Sequence, residues 1–564
     1  MTGILGGDRF ISAEPINKGW SEDKKYCVTD TDGVKYLLRI TPIERYEVRK
    51  SLFDMLEQVA ALGVPMCLPI EFGSAHGVYS LQSWIYGEDL EAVLPLLSET
   101  EQYVLGLKSG EIIKKMHEIP APDTQEEWAV RFNRKTNHKI KTYRECGIRF
   151  DGDDYMLEYI ENNRRLLENR PQCFQHGDYH VGNMMMERGE LKIIDFDRYD
   201  FGDPWEEFNR IVWSAVASPP FATGQLRGYF GGEPPLEFFK LLAFYIASNT
   251  LSSIYWAIPF GQSDLDTMMK QSQDVLRWYD NMQNPVPSWY LKDFYIQYTD
   301  GVPYKLKAPF DFSFFGKYGK VFKVFDDQDS GNICFGIADG NTRYFIKFAG
   351  APTERGTVTA EEAIINLKQA TPIYRDLAHA NLIKLINAKD IGAGYAVVFE
   401  WVDAICAQKM YPADYKAFRA LPLEIKHQIF TDIMEFHAYI TAKGYVAIDF
   451  YDGSIMWDDQ NQRTIICDID FYQKSPYIGR MGLWGSSRFV SPEERTDGAI
   501  IDEVTTVYTM GATAFCLLAN SDRSAEAWPL SPDLYAVAQK AVSDERDKRQ
   551  QSIRQLIDEW EVAR

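Results

Sequence analysis

Three polar side chains in the stretch Gln175 to Tyr199, QHGDYHVGNMMMERGELKIIDFDRY, stand at spacings that phosphoryl transfer can use. Asp178 can receive the proton of an attacking hydroxyl. Asn183 can ligate Mg²⁺, and Asp195, after the apolar run Leu191 to Ile194, can hold metal at the end of a strand. Moving a phosphoryl group asks little covalent chemistry of a protein: one base, a metal on oxygen ligands, and good positioning. Taken singly, such residues cap turns and satisfy loop amides. Three at matched spacing, with His176 and Gly177 before them and I-I-D-F-D after, speak for a site.

The elements that must position these groups occur twice. YLLRI (Tyr36 to Ile40) is followed by a helix-like run from Glu44 to Leu62 and then VPMCLPIEFG; YFIKF (Tyr344 to Phe348) is followed by another helix-like run and HANLIKLINAKDIG. Each reads as strand, helix and return to strand. Each continues into a strand with a short acidic connector, LQSWIYGEDL (Leu81 to Leu90) and AVVFEWVDA (Ala396 to Ala404), and then into an Asp-centred loop, around Asp178 and around Asp449. A Pro- and aromatic-rich stretch from Pro285 to Pro309 reads as the join between the halves.

HGD-x-x-x-x-N followed by I-I-D-F-D resembles the catalytic loop and metal-binding strand of the aminoglycoside phosphotransferase and choline kinase family, over residues 1 to about 285. The resemblance implies a kinase fold, ATP or GTP as phosphoryl donor, Mg²⁺, and the hydroxyl of a small molecule as acceptor. The acidic connectors then look like the hinge where adenine meets backbone amides. The nucleotide loop would be Asn17 to Lys25, with the amides around Gly19 to Ser21 approaching phosphate. Arg39 occupies the place of the family's phosphate-binding lysine; it keeps the charge with a different grip. Its expected helix partner is Asp54, with Glu57 and Glu47 as rivals. His176 would brace the loop, Asp197 would support it, and FGDPWEEF (Phe201 to Phe208) resembles the family's GDP segment. The acidic stretches Asp151 to Glu161 and Glu206–Glu207 either line a pocket for a polyamine or aminocyclitol or form solvated helix faces, the commoner fate of charge runs.

Residues from about 310 to 564 resemble a eukaryotic-type Ser/Thr protein kinase, with departures. Lys347 fits the phosphate-binding lysine, and Glu361 or Glu362 its ion-pair partner; Arg549 is placed to pair with Glu493. The glycine loop is expected at Asp326 to Ile333, around Gly331, rather than at Gly316 to Val321, because Gly319 stands too far before Lys347. Asp449 fits the base and Asp468 a metal ligand. Ala447 and Ile448 replace the usual His and Arg, Tyr451 the loop lysine, Ser454 the metal-binding Asn, and Thr506 a buried aspartate. The resemblance leaves a folded pseudokinase and a slow protein kinase equally open.

Composition sets the outer limits. At 564 residues the chain exceeds one hydrophobic core. A formal charge of −21 argues against nucleic-acid binding and would attract a cationic substrate. The eight cysteines form no C-x-x-C pair, so neither zinc nor a disulfide framework is indicated. The start lacks the layout of a signal peptide, and Leu241 to Phe260, interrupted by Ser and Asn, reads as a buried core helix, so a cytoplasmic protein without a membrane span is expected. The expected fold class is α+β: two tandem protein-kinase-like bilobal domains, each a small β-rich lobe with a larger helical one, at 1–285 and 310–564 with a linker at 286–309. The first would act on a small-molecule hydroxyl. The second would be regulatory or weakly active, with a protein substrate if active. The competing readings make the second domain the main Ser/Thr kinase, or make both domains a nucleotide-sensing scaffold.

Overall fold

YLLRI and YFIKF each form the middle strand of a five-stranded antiparallel sheet. Side chains on a strand alternate between faces; in the second sheet Ile346 and Phe348 are buried in one core while Lys347 between them turns to the opposite face. The computed structural model describes residues 9–17, 23–74, 77–292, 294–479 and 485–564. The chain divides into two units, Met1–Lys292 and Asp293–Arg564.

The first sheet comprises β1 (Phe10–Ile16), β2 (Lys24–Asp30), β3 (Lys35–Thr41), β4 (Pro69–Ser74) and β5 (Val78–Ser83), in spatial order β1-β2-β3-β5-β4. Helix α1 (Tyr46–Ala61) connects β3 to β4 and buries Leu52, Phe53, Leu56 and Val59 along one face, the spacing of an amphipathic helix. Gly63 ends it: at φ 73° its N–H donates to the Ala60 carbonyl.

The larger lobe follows as β6 (Glu88–Asp89), α2 (Leu90–Val93), α3 (Glu99–Met116), α4 (Trp128–Glu145), α5 (Asp153–Asn163), β7 (Cys173–Gln175), β8 (Met184–Glu187), β9 (Glu190–Ile193), β10 (Asp200–Gly202), α6 (Ile211–Ala217), α7 (Pro219–Phe230), α8 (Leu236–Ala257) and α9 (Gln262–Trp278). Helices α3 and α7 meet backbone to backbone. A Cβ on Gly106 or Gly110 would lie 2.1 or 2.2 Å from the carbonyls of Phe221 and Gln225, and one on Gly224 or Gly228 would lie 2.2 or 2.0 Å from those of Tyr103 and Leu107. That approach sets the depth of Ser109 on α3, whose carbonyl accepts the Tyr179 hydroxyl at 2.8 Å, so the helix packing is tied to the loop that carries Asp178. The segment Leu236–Phe260 is long and apolar enough to cross a membrane by composition, but 67% of its apolar window is buried inside the unit. Phe238, Leu242 and Phe244 on α8 are fully buried core.

The second unit begins with a hairpin, β11 (Tyr295–Thr299) and β12 (Val302–Leu306), then β13 (Lys320–Phe325), β14 (Asn332–Asp339), β15 (Thr342–Ala349), α10 (Ala360–Asp376), β16 (Leu385–Ile391) and β17 (Gly394–Glu400). Strand order β13-β14-β15-β17-β16 repeats that of the first sheet. The stretch 286–309, expected as a linker, is shared between the two cores instead. Trp289 and Tyr290 are buried in the first, and Tyr304 and Leu306 pack with Phe312, Phe315, Phe335 and Phe348 in the second. Its aromatic residues are core material, which is why composition alone misread it. The rest of the unit runs through β18 (Ile405–Cys406), α11 (Pro412–Arg419), α12 (Leu423–Ala442), β19 (Tyr445–Val446), β20 (Ile455–Asp458), β21 (Arg463–Ile466), three short strands at Gln473–Lys474, Tyr477–Ile478 and Ile500–Ile501, and helices α13 (Glu503–Ala519), α14 (Pro532–Ala541) and α15 (Ile553–Ala563). The architecture is mixed α+β, with a kinase-like bilobal arrangement in the first unit.

Candidate active site

In the first unit the loop between β7 and β8 is held from several sides. His176 accepts the Asp178 N–H on Nδ1 at 3.3 Å, so its Nε2 carries the proton that meets the Ile194 carbonyl at 3.0 Å. One neutral ring thus braces the loop against the strand end that carries Asp195. Gly177, at φ 83°, passes so close to Arg198 that a Cβ would lie 2.0 Å from its carbonyl oxygen. Its N–H donates to the buried Glu207 carboxylate at 3.0 Å. Asn183 completes the frame: its Nδ2 donates to the Asp178 carbonyl at 2.9 Å, and its own carbonyl accepts from Ile194 N at 3.0 Å.

These contacts leave three oxygen groups for chemistry. The Asp178 carboxylate makes looser ion pairs, 3.3 Å to Arg210 Nε and 3.9 Å to Arg198 Nη1, and lies 3.7 Å from His180 Nε2. Burial pushes the His180 ring down to about 4, so it stands there neutral. Asp195 sits in the left-handed region at φ 67°, exposed, and its carboxylate forms no hydrogen bond or ion pair among the described residues. Asn183 commits its side-chain nitrogen to the Asp178 carbonyl and its backbone oxygen to Ile194, and keeps its side-chain oxygen Oδ1. An amide oxygen and a carboxylate are hard ligands of the kind Mg²⁺ takes, so the donor set fits that ion. No His/Cys/Asp/Glu cluster of the kind that binds other metals occurs among the described residues.

Arg39 lies on β3 within a four-charge cluster. It pairs with Asp197, and its Nη2 lies 3.1 Å from Asp23 Oδ2. Arg49 on α1 joins the same two carboxylates, at 2.8 Å to Asp197 and 2.5 Å to Asp23. The expected helix acid is therefore absent from this contact: Asp54 pairs with Lys50, one turn away on its own helix. The helix contributes a second cation, and the second aspartate of I-I-D-F-D supplies the counter-charge. Burial alone would raise the Asp197 carboxyl; Arg39 and Arg49 hold it below the usual range. Asp23, Arg39 and Arg49 line a cavity of about 20 Å³ with Thr41, Tyr79 and Gln82, room for about one water. Gly19 and Ser21 of the expected nucleotide loop lie outside the described residues.

Of the acids considered for an acceptor pocket, Asp151, Asp154 and Glu158 are exposed, and the others have partners within the unit. Asp153 is buried and accepts the Tyr143 hydroxyl at 2.6 Å, and Glu161 pairs with Arg164 at 2.7 Å. Glu207 serves Gly177, and Glu206 accepts from Gln175 Nε2 at 3.1 Å. Asp203, fully buried in the GDP segment, takes a two-pronged pair from Arg170 at 2.7 and 2.9 Å and the Tyr245 hydroxyl at 2.6 Å. It anchors the segment rather than touching substrate.

In the second unit Lys347 does not meet Glu362. Glu362 caps α10: its carboxylate accepts the Thr359 N–H at 2.8 Å while Thr359 Oγ1 accepts the Glu362 N–H at 3.2 Å. Glu361 points to solvent. Thr359-x-x-Glu362 is a capping box, legible in sequence and missed there. Lys347 Nζ instead lies 2.9 Å from Asp470 and 3.3 Å from Asp468, and Tyr374 of α10 donates to Asp470 at 2.7 Å. Burial pulls the Lys347 amine down, and the two aspartates override it. Burial, then Asp468 and Asp329, push Asp449 up to about 8. Ser454 is fully buried, and its hydroxyl has no hydrogen-bond partner among the described residues. Thr506 Oγ1 accepts the Ala447 N–H at 3.3 Å, and Arg549 grips Glu493 at 2.7 and 3.0 Å. The connector between β13 and β14 contains Gly331 at φ 80°, where the glycine loop was expected. Of its acids, Asp327 lies 3.2 Å from Lys305 Nζ and 3.7 Å from Arg355 Nε, and Asp326 accepts the Lys305 N–H at 2.7 Å.

Residues 12–239 match the phosphotransferase enzyme family, so the first unit carries a phosphotransferase domain, an enzyme module that passes a phosphoryl group to a hydroxyl. Solved structures similar to this chain include a thermostable mutant of aminoglycoside phosphotransferase APH(4)-Ia in its apo form, 16% identical over 48% of this chain and 94% of that one, with a TM-score of 0.36. The amicoumacin kinase hAmiN, in complex with AMP-PNP, Ca²⁺ and Ami, is 14% identical over 49% of this chain and 90% of that one, with a TM-score of 0.36. No curated protein matched the chain.

Proposed function

We propose that the first unit transfers the γ-phosphoryl group of ATP or GTP, with Mg²⁺, to the hydroxyl of a small molecule. The hydroxyl oxygen forms the new bond to phosphorus, the bond to the β-phosphate oxygen breaks, the nucleoside diphosphate leaves with that electron pair, and the proton passes to Asp178. Asp195 and Asn183 would hold the metal, which neutralises phosphate charge when bound. Arg39 would steady the phosphates from β3. The observation that carries this reading is the frame around Asp178: His176, Gly177 and Asn183 are all spent on holding the loop, while the carboxylates of Asp178 and Asp195 are left for reaction and metal. Loss of a positioned base costs about two to four orders of magnitude in rate. Asp178→Asn should therefore abolish nucleotide turnover while nucleotide binding stays nearly unchanged, and full turnover in that variant would sink the assignment.

For the second unit we propose a kinase-like module that regulates the first or phosphorylates protein Ser/Thr only slowly. Lys347 is engaged by both aspartates of C-D-I-D, a serine hydroxyl stands where an amide oxygen would ligate metal, and Asp449 keeps its proton at neutral pH. A radiolabel assay of the whole chain on generic protein substrates tests this. Robust transfer that survives Asp178→Asn and is lost in Asp449→Asn would make the second unit an enzyme in its own right.

A further inference from the structure

The two oxygens of the Asp178 carboxylate face different company. Oδ1 stands 3.3 Å from Arg210 Nε and 3.7 Å from His180 Nε2. Oδ2 stands 3.9 Å from Arg198 Nη1, on a side chain that is 51% exposed against 23% for Arg210.

The groups on Oδ1 are held from behind. His180 accepts the Gly182 N–H on Nδ1 at 3.1 Å, so its neutral ring carries the proton on Nε2, the nitrogen turned to Oδ1. Arg210 closes a short helical stretch, Glu206–Arg210, that is tied to the same loop, because Glu207 within it accepts the Gly177 N–H at 3.0 Å. Arg210 Nε is also a buried N–H without a hydrogen bond among the described residues, and Asp178 is the one carboxylate that its guanidinium pairs with there. A buried donor left unbonded is costly. Hydrogen bonds to a catalytic base commonly run long before substrate is in place and tighten with it.

We propose that Arg210 is a positioning residue for the base: its Nε anchors Asp178 through Oδ1, with His180 as a second hold on that oxygen, so that Oδ2 is presented to the acceptor hydroxyl. This rests on Asp178 as the base. The terminal torsion of an aspartate is broad, so an unanchored carboxylate offers either oxygen at many angles; a guanidinium on one oxygen removes that freedom. As the acceptor's O–H bond breaks, its proton forms a new O–H bond with Oδ2. Oδ1 remains a carbonyl oxygen and still accepts from Arg210, so the anchor holds through the transfer.

The test uses the full chain in an Asp449→Asn background, with Mg²⁺–ATP as the probe and water in place of the acceptor hydroxyl. Arg210→Ala should lower kcat for hydrolysis about tenfold to a hundredfold, the range for a misplaced reacting group, while KM for Mg²⁺–ATP stays nearly unchanged. Ethylguanidine should restore part of the lost kcat in Arg210→Ala and none in Asp178→Asn. A residue that served only packing would give no such response. Unchanged kcat in Arg210→Ala, or a loss that ethylguanidine leaves unrelieved, overturns the proposal. Should thermal melts show Arg210→Ala unfolded, Arg210→Met is read in its place, since it fills similar space without a donor. A fall in kcat at an unchanged KM then supports the anchor, and an unchanged kcat overturns it. Turnover retained in Asp178→Asn removes the base itself, whereas turnover lost there but unchanged in Arg210→Ala removes the anchor and leaves the base.

Discussion

Asp197 gives the sharpest test of how the first unit is held together. Its carboxylate serves Arg39 and Arg49, with side-chain exposures of 12% and 11%, while Asp23, at 1%, serves the same two guanidiniums. Asp197→Asn keeps the shape and removes one charge, leaving two mostly buried cations on one carboxylate. Charge-assisted hydrogen bonds contribute about 1.5–3 kcal/mol each, and breaking a buried pair costs about 3–5 kcal/mol. Because Asp23 still holds both arginines, the lower end applies, and a loss of about 3 kcal/mol is expected by both principles. Adding Arg49→Met removes one of the buried cations, while Asp23 keeps Arg39 at 3.1 Å and the more exposed Arg45 at 4.0 Å, so the double variant should recover at least about 1 kcal/mol of that loss. Urea unfolding of the whole chain, with hydrogen exchange read on peptides from β3 and α1, separates this unit from the other. The pH dependence has a fixed sign. The folded-state pKa of Asp197 is lowered, so its contribution is present above the unfolded value of about 3.9 and is lost as pH falls through the folded value. The gap between wild type and Asp197→Asn should be constant above about pH 5 and close in stronger acid. A loss that grows when Arg49→Met is added would refute the surplus-charge argument.

Other outcomes follow from the same geometry. Asp195→Ala should weaken nucleotide binding in the presence of Mg²⁺ and make it insensitive to chelation, measured by calorimetry with and without EDTA; chelation that still weakens the variant would move the metal elsewhere. Asp449 has a folded-state pKa of about 8, well above the unfolded value, so between about pH 4 and that value the folded unit retains a proton the unfolded chain has released. Stability of the second unit should therefore decline as pH rises through that window, and Asp449→Asn should flatten the decline in thermal melts. Arg549→Met strips the fully buried guanidinium from Glu493, which keeps Arg546 at 2.7 Å and the Thr505 hydroxyl at 2.9 Å, so a loss of about 1.5–3 kcal/mol is expected, read as early exchange of α13 and α15 peptides.

The arrangement of the proposed site in the first unit was legible because its residues sit in one continuous segment. Asp178, Asn183 and Asp195 fall on a single loop and strand end, so spacing along the chain nearly equals arrangement in space. Contacts that join distant segments were not legible. Nothing in the helix-like run after β3 marks Arg49, rather than an acid, as the residue facing Arg39, because several positions of α1 lie within reach of β3. The cations beside Asp178 were hidden for the same reason: Arg210 lies beyond the motif on another element and meets the Asp178 carboxylate at 3.3 Å only through packing. Glu362 is a different case. Its role was written locally in Thr359-x-x-Glu362, and a helix-start signal was passed over in favour of a long-range partner.

The two units share a device that explains why both helix partners were misplaced. In each, the cation of the middle strand is met by the second aspartate of a D-x-D motif, Arg39 by Asp197 and Lys347 by Asp470. With that aspartate supplying the counter-charge, the helix need not offer an acid, and it offers Arg49 in one unit and Tyr374 in the other. The first aspartate then decides what the site can do. Asp195 stands clear of the cluster with its carboxylate uncommitted, so a metal can be taken up without breaking any ion pair. Asp468 lies 3.3 Å from Lys347 and receives the Asp470 N–H at the same distance, so a metal there must first compete with an ammonium. With Asp449 protonated at neutral pH as well, transfer by the second unit would require it to release a lysine and ionise a buried acid, whereas in the first Asp195 is uncommitted and Asp178 holds looser pairs with Arg210 at 3.3 Å and Arg198 at 3.9 Å.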